Sequence, residues 1–365
     1  MQYLTLLFSL LLSYVSFAQE NSPSKLPIIE NHSTYTVRGY TIENSFYTQQ
    51  PPLPRDYGLS IEYSINTFSP FTTTRHISKV GNEVTFDVTY ESAELGLRKI
   101  PAEFIPKQPS EHLIVAGDSN TFGDGVSIEN TLPVLLSQKI PGTRPYNWGI
   151  RGAGPNNTLA MMEFLPWEKT IHESRGTFIY NHYDFLIERV IGFKDYIQWS
   201  EGKSPYYNLN DKGVATYQGN FNTRFLTRIF QVMNYVKWIN NLFPILPRPR
   251  YQHTVILAKV YLKMFEEYKK KFPEGNFLVA INYNFHWPLP GRLEDLQTEL
   301  KKNKVPFVVM PFVTDDEKYL LKDLHLNPKG HQLELDILLK VLPLNKIARQ
   351  PNINSTDYDK VKNLR

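Results

Sequence analysis

The stretch His112-Leu-Ile-Val-Ala-Gly-Asp-Ser-Asn-Thr-Phe-Gly123 decides the fold of this chain. Its apolar part, residues 113–116, predicts a buried parallel strand, and that strand stops at Gly117-Asp118-Ser119. Open α/β sheets bind their ligands at the carboxyl ends of their strands. Ser119 is therefore a candidate nucleophile, and we expect a base, an orienting acid and an oxyanion site elsewhere in the chain.

Strand and helix patterns alternate from His112 onwards. The pattern predicts further strands over residues 145–148, 177–180, 276–283 and 306–313. Between them, apolar residues at helical spacing predict amphipathic helices over residues 226–236 and 257–268, with their apolar faces in the core. Five strands separated by helices indicate a doubly wound sheet in a three-layer α/β/α architecture.

The N-terminal third has a different pattern. Residues 1–18 carry no charged side chain and end in a small-x-small sequence, which predicts a signal peptide, with an uncleaved membrane anchor as the alternative. Residues 19–34 are polar and are predicted to be a linker. Alternation of apolar and polar residues, as in 84–90, predicts strands, including one over 59–65, and a small β-rich module over residues 35–108.

The main domain is predicted over residues 109–345. The segment from about 194 to 251 is too long for a simple connection, and we interpret it as an insertion near the active face. Its aromatic residues serve either core packing or a sugar-binding platform, with packing favoured. The tail, residues 346–365, is predicted to be disordered.

Composition limits the classes of function. The 365 residues include 40 Lys and Arg, 36 Asp and Glu and no Cys, so the net charge is +4. Without cysteine there are no disulfides and no thiol catalysis. No basic stripe or recognition motif is present, so we expect no nucleic-acid partner. Once the signal is cleaved, we expect no stable membrane span and a secreted or periplasmic location.

A second group of candidate catalytic residues lies near the C-terminus. Asp323-Leu-His325 follows the last predicted strand, and Asn327 and Pro328 are a typical N-cap and first residue of a helix. An imidazole in this loop can reach across the sheet edge to Ser119, and Asp323 can reach its other ring nitrogen. These residues form a nucleophile, an orienter and a base in the chain order Ser, Asp, His.

Other interpretations of these motifs carry less weight. Residues 117–119 alone could be a turn, and Asp323, His325 and His331 could hold a metal ion. The glycines of the first motif are not followed by the Lys-Ser/Thr pair of a phosphate-binding loop. We therefore expect no metal and no other cofactor.

The motifs resemble those of the SGNH, or GDSL, hydrolase superfamily. Residues 117–119 with 121–126 resemble its block I, residues 147–152 its block II, and Asp323-x-His325 its block V in a shortened form. The resemblance covers residues 110–345 and implies a flavodoxin-like α/β/α fold and a serine esterase. The resemblance implies that Ser119 is the nucleophile, His325 the base and Asp323 the orienting acid.

The resemblance also implies an oxyanion hole. Its donors would be the backbone N–H groups of Ser119 and Gly152 and the side chain of a block III asparagine. The block III sequence G-x-N-D is not intact here, and Asn181 is assigned as the third donor on position alone. Arg189 is the alternative residue facing the pocket.

Three functional hypotheses follow. The first is an exported serine esterase that removes acetyl or other short acyl groups from a carbohydrate or small-molecule ester. The second keeps the same triad but transfers the acyl group to a glycan hydroxyl. The third is a non-catalytic glycan-binding protein of the cell envelope, supported by the incomplete block III.

Overall fold

The apolar run that ends at Gly117 forms an interior strand of a five-stranded parallel sheet. Its residues Leu113–Ala116 are at most 1% exposed, because neighbouring strands flank it on both sides and helices cover both faces of the sheet. The structure is a computed structural model that describes residues 28–37, 39–49, 69–235, 246–282, 292–310 and 316–341.

The main elements of this domain share the alternating order that the sequence predicts. In chain order they are β5 (Glu111–Gly117), α1 (Ser119–Phe122), α2 (Leu132–Lys139), β6 (Thr143–Gly149), α3 (Pro155–Phe164), β7 (Gly176–Tyr183), α4 (Leu186–Ile191), α5 (Lys194–Trp199), β8 (Pro205–Leu209), β9 (Ala215–Asn220), α6 (Phe225–Tyr235), α7 (Tyr251–Lys271), β10 (Asn276–Asn282), α8 (Arg292–Lys302), β11 (Phe307–Met310) and α9 (Pro328–Val341).

The sheet order is β11-β10-β7-β5-β6, with every neighbouring pair parallel. Numbered along the chain, this is the 2-1-3-4-5 order of flavodoxin-like folds, whose switch point lies between β5 and β7. Helices α2 and α9 pack together as one layer, while α3, α7 and α8 form the other. The predicted three-layer α/β/α fold is confirmed, as are the predicted strands of this sheet and the two amphipathic helices within the described residues; the strand predicted over 306–313 is seen over Phe307–Met310.

A separate antiparallel sheet precedes this domain, which confirms the predicted β-rich module. We call it the N-terminal sheet; its strands pair in chain order and are β1 (Ile28–Val37), β2 (Tyr40–Gln49), β3 (Thr73–Val80) and β4 (Glu83–Glu91). The predicted linker over residues 19–34 is wrong for residues 28–34, because these pair with β2 along their whole length. The predicted signal peptide, the strand over 59–65 and the tail over 346–365 lie outside the described residues.

The predicted insertion contains α5, the β8–β9 hairpin and α6. The hairpin packs on α3 and α7, and the Asn156 amide donates a hydrogen bond to the Pro205 carbonyl at 2.6 Å. The side chains of Tyr196 and Tyr207 are buried, which favours packing over a binding platform for these two rings. Of the helices in the described ranges, none has the length and apolar character that crossing a bilayer requires.

Candidate active site

Ser119 lies at the switch point of the parallel sheet. It is the second residue after β5 and the first residue of α1, a short turn capped by Asp118, whose Oδ1 accepts a hydrogen bond from the Asn120 N–H at 3.0 Å. Gly123 ends this turn with a φ of 80°, a left-handed conformation that favours glycine. The local sequence therefore places the Ser119 hydroxyl at the carboxyl edge of the sheet.

The structure brings Ser119, His325 and Asp323 together. The Nε2 atom of His325 lies 2.8 Å from the Oγ atom of Ser119, although 206 residues separate them. The Nδ1 atom of His325 lies 2.9 Å from Oδ2 of Asp323, and Oδ1 of Asp323 accepts the His325 backbone N–H at 3.2 Å. A hydroxyl, an imidazole and a carboxylate linked in this order match the arrangement of a catalytic triad.

The loop that carries the imidazole is fixed at several points. Leu324 has a φ of 71°, which bends the chain between the acid and the imidazole. The Leu326 N–H donates to Oδ1 of Asn120 at 3.2 Å and so joins this loop to α1. The α9 helix begins as the sequence predicts, because Asn327 Oδ1 accepts the Gly330 N–H at 3.0 Å.

Electrostatics favour the protonated form of the imidazole. Burial alone would lower the pKa of His325, but the charge of Asp323 and its hydrogen bond raise that pKa to about 9. Burial alone would raise the pKa of Asp323, yet His325 holds it below its usual value. The pair therefore stabilises the imidazolium that forms when a base accepts the serine proton.

Two backbone N–H groups are candidates for an oxyanion hole. The N–H of Ser119 has no acceptor within its own helix, because it is in the first turn. Gly152 has a φ of 70° in the loop after β6, and this loop is tied to β5 by a 3.0 Å hydrogen bond from the Ile150 N–H to the Gly117 carbonyl. A Cβ atom on Gly149 would lie 2.0 Å from a backbone nitrogen of α1, so the two segments touch directly.

The third predicted oxyanion donor lies inside a strand. Strand β7 continues to Tyr183, so Asn181 lies inside the strand, paired with Ala280, and not in a loop beyond it. Its side chain is fully buried, and its amide donates to Oε1 of Glu334 on α9 at 2.9 Å. This amide is therefore bound to Glu334 within the core, and its role as an oxyanion donor stays a prediction.

Arg189 lies beside the Gly152 loop. One of its guanidinium nitrogens donates to the Ala153 carbonyl at 2.6 Å and lies 3.6 Å from Oδ2 of Asp118. It therefore links the residue after Gly152 to the residue before Ser119. His331 is fully buried on α9 with its Nδ1 3.8 Å from Glu334, and the described residues contain no group of three His, Asp or Glu side chains placed to hold a metal ion.

Sequence reasoning did not find the role of Asp124. This buried carboxylate accepts a hydrogen bond from Nε of Arg151 at 2.7 Å, so a charged pair joins the first motif to the second. The signal was present, because both residues are charged side chains within glycine-rich motifs that lie next to buried strands. Nothing in the sequence, however, indicated that they pair.

Comparisons with known proteins give remote similarities only. No family model and no curated protein matches the chain. A solved structure of a lipolytic protein of the G-D-S-L family from Veillonella parvula is 14% identical, with a TM-score of 0.36, over 64% of this chain and 98% of that one. A family two carbohydrate esterase from Clostridium thermocellum, solved with cellohexaose, is 10% identical, with a TM-score of 0.40, over 88% and 99%. Similarities of this size carry no argument about activity.

Proposed function

We propose that this protein is a serine ester hydrolase with Ser119 as its nucleophile. The observation that carries the proposal is the linked set of distances from Ser119 through His325 to Asp323, 2.8 Å and 2.9 Å. A serine hydroxyl is a weak nucleophile unless a neighbouring base takes its proton, and His325 is within hydrogen-bond distance of it. Asp323 selects the tautomer of the imidazole and stabilises its charged form.

The proposed reaction has two steps. His325 accepts the Ser119 proton as Oγ attacks the ester carbonyl, and the oxyanion is held by the backbone N–H groups of Ser119 and Gly152. His325 then gives the proton to the leaving alcohol, and an acyl-enzyme remains on Ser119. Water, activated by the same imidazole, attacks the acyl group and releases the acid.

We extend the proposal to acetyl or other short acyl esters of carbohydrates, and to a protein that is exported. The support is the motif resemblance and the charge-free N-terminal segment, residues 1–18. A sugar hydroxyl in place of water would make the same site an acyltransferase. Analysis of products formed with an aryl acetate and a glycan present separates the two: acetylated glycan indicates transfer, and free acetate alone indicates hydrolysis.

The test of the proposal is covalent labelling. A serine-directed fluorophosphonate probe should add one label to the intact protein, and the label should disappear in Ser119→Ala. Ser127→Ala is the matched control, because this exposed serine lies a few residues further along the same segment and should leave labelling unchanged. Equal labelling and equal ester turnover in Ser119→Ala would refute the proposal.

A further inference from the structure

Three chain segments carry the proposed chemistry, and the N-terminal sheet contacts all three. The nucleophile segment is residues 117–126, the oxyanion segment is residues 149–154, and the acid–base segment is residues 321–327. The sheet reaches the first through the buried side chains of Tyr90 and His76, the second through the Phe46 ring and the third through Tyr35. A module that served only as an appendage would not need to contact every part of the site.

Asp124 is the central point of these contacts. Its fully buried carboxylate accepts hydrogen bonds from Arg151 Nε at 2.7 Å and from the Tyr90 hydroxyl at 3.0 Å, and His76 Nδ1 lies 3.3 Å away. Tyr90 belongs to β4 and His76 to β3, whereas Arg151 belongs to the oxyanion segment. Burial alone would raise the pKa of Asp124, but Arg151 and His76 hold it well below its usual range, so it is a charged acceptor.

Asp124 also fixes the backbone next to the nucleophile. Its own N–H donates to the Ser119 carbonyl at 3.0 Å, and the next N–H, that of Gly125, donates to the Tyr90 hydroxyl at 2.8 Å. Tyr90 thus holds this turn twice, once through the carboxylate and once through the backbone. Arg98, which follows the sheet, donates to the Phe122 carbonyl of the same turn at 2.7 Å.

The other two segments meet β2 and β1. Arg151, the residue before Gly152, places its guanidinium over the Phe46 ring of β2, 4.8 Å from the ring centroid. The Tyr35 hydroxyl of β1 lies 3.5 Å from Oδ2 of Asp323, at the outer limit of a hydrogen bond. The contacts through Asp124 are shorter and more buried, so they are the ones that can fix the geometry of the site.

We propose that the N-terminal sheet is a structural part of the active site, in which Tyr90 and His76 are positioning residues that act through Asp124. They hold the carboxylate that joins the Ser119 turn to Arg151 and so set the position of Gly152 relative to Ser119. This inference rests on the proposed esterase function for its kinetic test. Buried charges are costly unless they are well paired, so a contact that served packing alone would be expected to use apolar side chains.

The kinetic test is Tyr90→Phe, which removes the hydroxyl and keeps the ring. We expect kcat to fall about ten- to hundredfold with KM within about twofold, because small displacements of reacting groups reduce rate more than binding. The control is Arg75→Gln on β3, whose side chain pairs with Asp87 away from the active site and should leave both constants unchanged. A Tyr90→Phe enzyme with kcat within twofold of the wild type overturns the inference.

A double-mutant cycle separates positioning from general loss of stability. If Tyr90 acts mainly through the Asp124 carboxylate, adding Tyr90→Phe to Asp124→Asn should lower kcat by less than Tyr90→Phe does alone, because only the bond from the Gly125 N–H to the Tyr90 hydroxyl then remains to be lost. Multiplicative losses would show that the two residues act independently and would overturn the proposed route.

A second measurement does not depend on ester turnover. Hydrogen exchange of the Asp124 and Gly125 amides should be at least about tenfold faster in Tyr90→Phe, with exchange in β10 unchanged. If the wild type neither labels nor turns over esters, the proposed function fails, and exchange alone decides the inference. Unchanged exchange at both amides then overturns it, and faster exchange confined to this turn supports it.

Discussion

The pH dependence of ester turnover tests the imidazole–carboxylate pair directly. Asp323 raises the pKa of His325 from 6.5 to about 9, although burial opposes the shift. This shift corresponds to about 3 kcal/mol in favour of the imidazolium. Because only the neutral imidazole can accept the Ser119 proton, kcat/KM should rise about tenfold per pH unit up to about pH 9, and at pH 7 it should be about 1% of its plateau.

Replacing Asp323 by Asn removes the charge that causes the shift. Burial then dominates, so the pKa of His325 should fall to its ordinary value or below it. In a plot of kcat/KM against pH, the rising acid limb should therefore shift to lower pH by at least about two units. The plateau of kcat should fall about 10⁴-fold, because an amide neither stabilises the imidazolium nor enforces the required tautomer.

The assay is the initial rate of aryl acetate hydrolysis from about pH 5 to about pH 10, with the Ser119→Ala rate subtracted as background. Asp336→Asn serves as the matched control, because this exposed carboxylate lies on α9 and should leave the limb in place. If the acid limb has the same midpoint in the wild type and in Asp323→Asn, the assignment of the pair as orienting acid and base is refuted.

Three further predictions test the surroundings of the site. Gly149→Ala should destabilise the fold by at least about 2 kcal/mol in urea unfolding, because its Cβ would lie 2.0 Å from the Phe122 nitrogen; an unchanged midpoint would contradict the close approach. Asn181→Ala should lower stability by about 2 kcal/mol through the loss of its bond to Glu334, yet change kcat by less than about twofold; a hundredfold loss of kcat in a stable variant would restore Asn181 as an oxyanion donor. The pKa of His325 is raised on folding, so its protonation stabilises the fold fully below about pH 6.5, and this contribution is lost as the pH rises through about 9. The difference in Tm between the wild type and His325→Gln should therefore narrow as the pH rises from about 6.5 to about 9. A difference in Tm that stays constant over this pH range would argue against a raised pKa of His325.

The fold and the proposed triad could be predicted because their signals are local. The run over residues 113–116 is apolar on both faces, which is typical of an interior parallel strand, and helical spacing of apolar residues identified α7. Asn327 and Pro328 marked the start of α9 and so fixed where the imidazole loop ends. The order of chemical residues along the chain then sufficed to bring both ends of the domain to one sheet edge.

The sequence placed Asn181 beyond its strand because the end of a strand is a weak signal. The apolar pattern stops at Tyr180, but pairing with β10 carries β7 on to Tyr183. Polar residues can continue a buried strand when another element supplies their hydrogen-bond partners. Here Glu334, nine residues beyond His325 on α9, supplies that partner, and no local pattern connects the two.

The contacts of the N-terminal sheet were beyond prediction for a related reason, yet β3 carries a clue. Alternation shows that one face of a strand is covered, but not by what. On β3 the covered residues are Thr74, His76 and Ser78, each at most 2% exposed, and all three are polar. Thr74 bonds to Thr48 of β2 within the sheet, so the buried His76, which meets Asp124, is the clue that the sheet docks on charged or polar groups. Asp124 and Arg151 are such groups, and they join the segments that hold Ser119 and Gly152. The sheet is thus better understood through the site it supports than as a separate module.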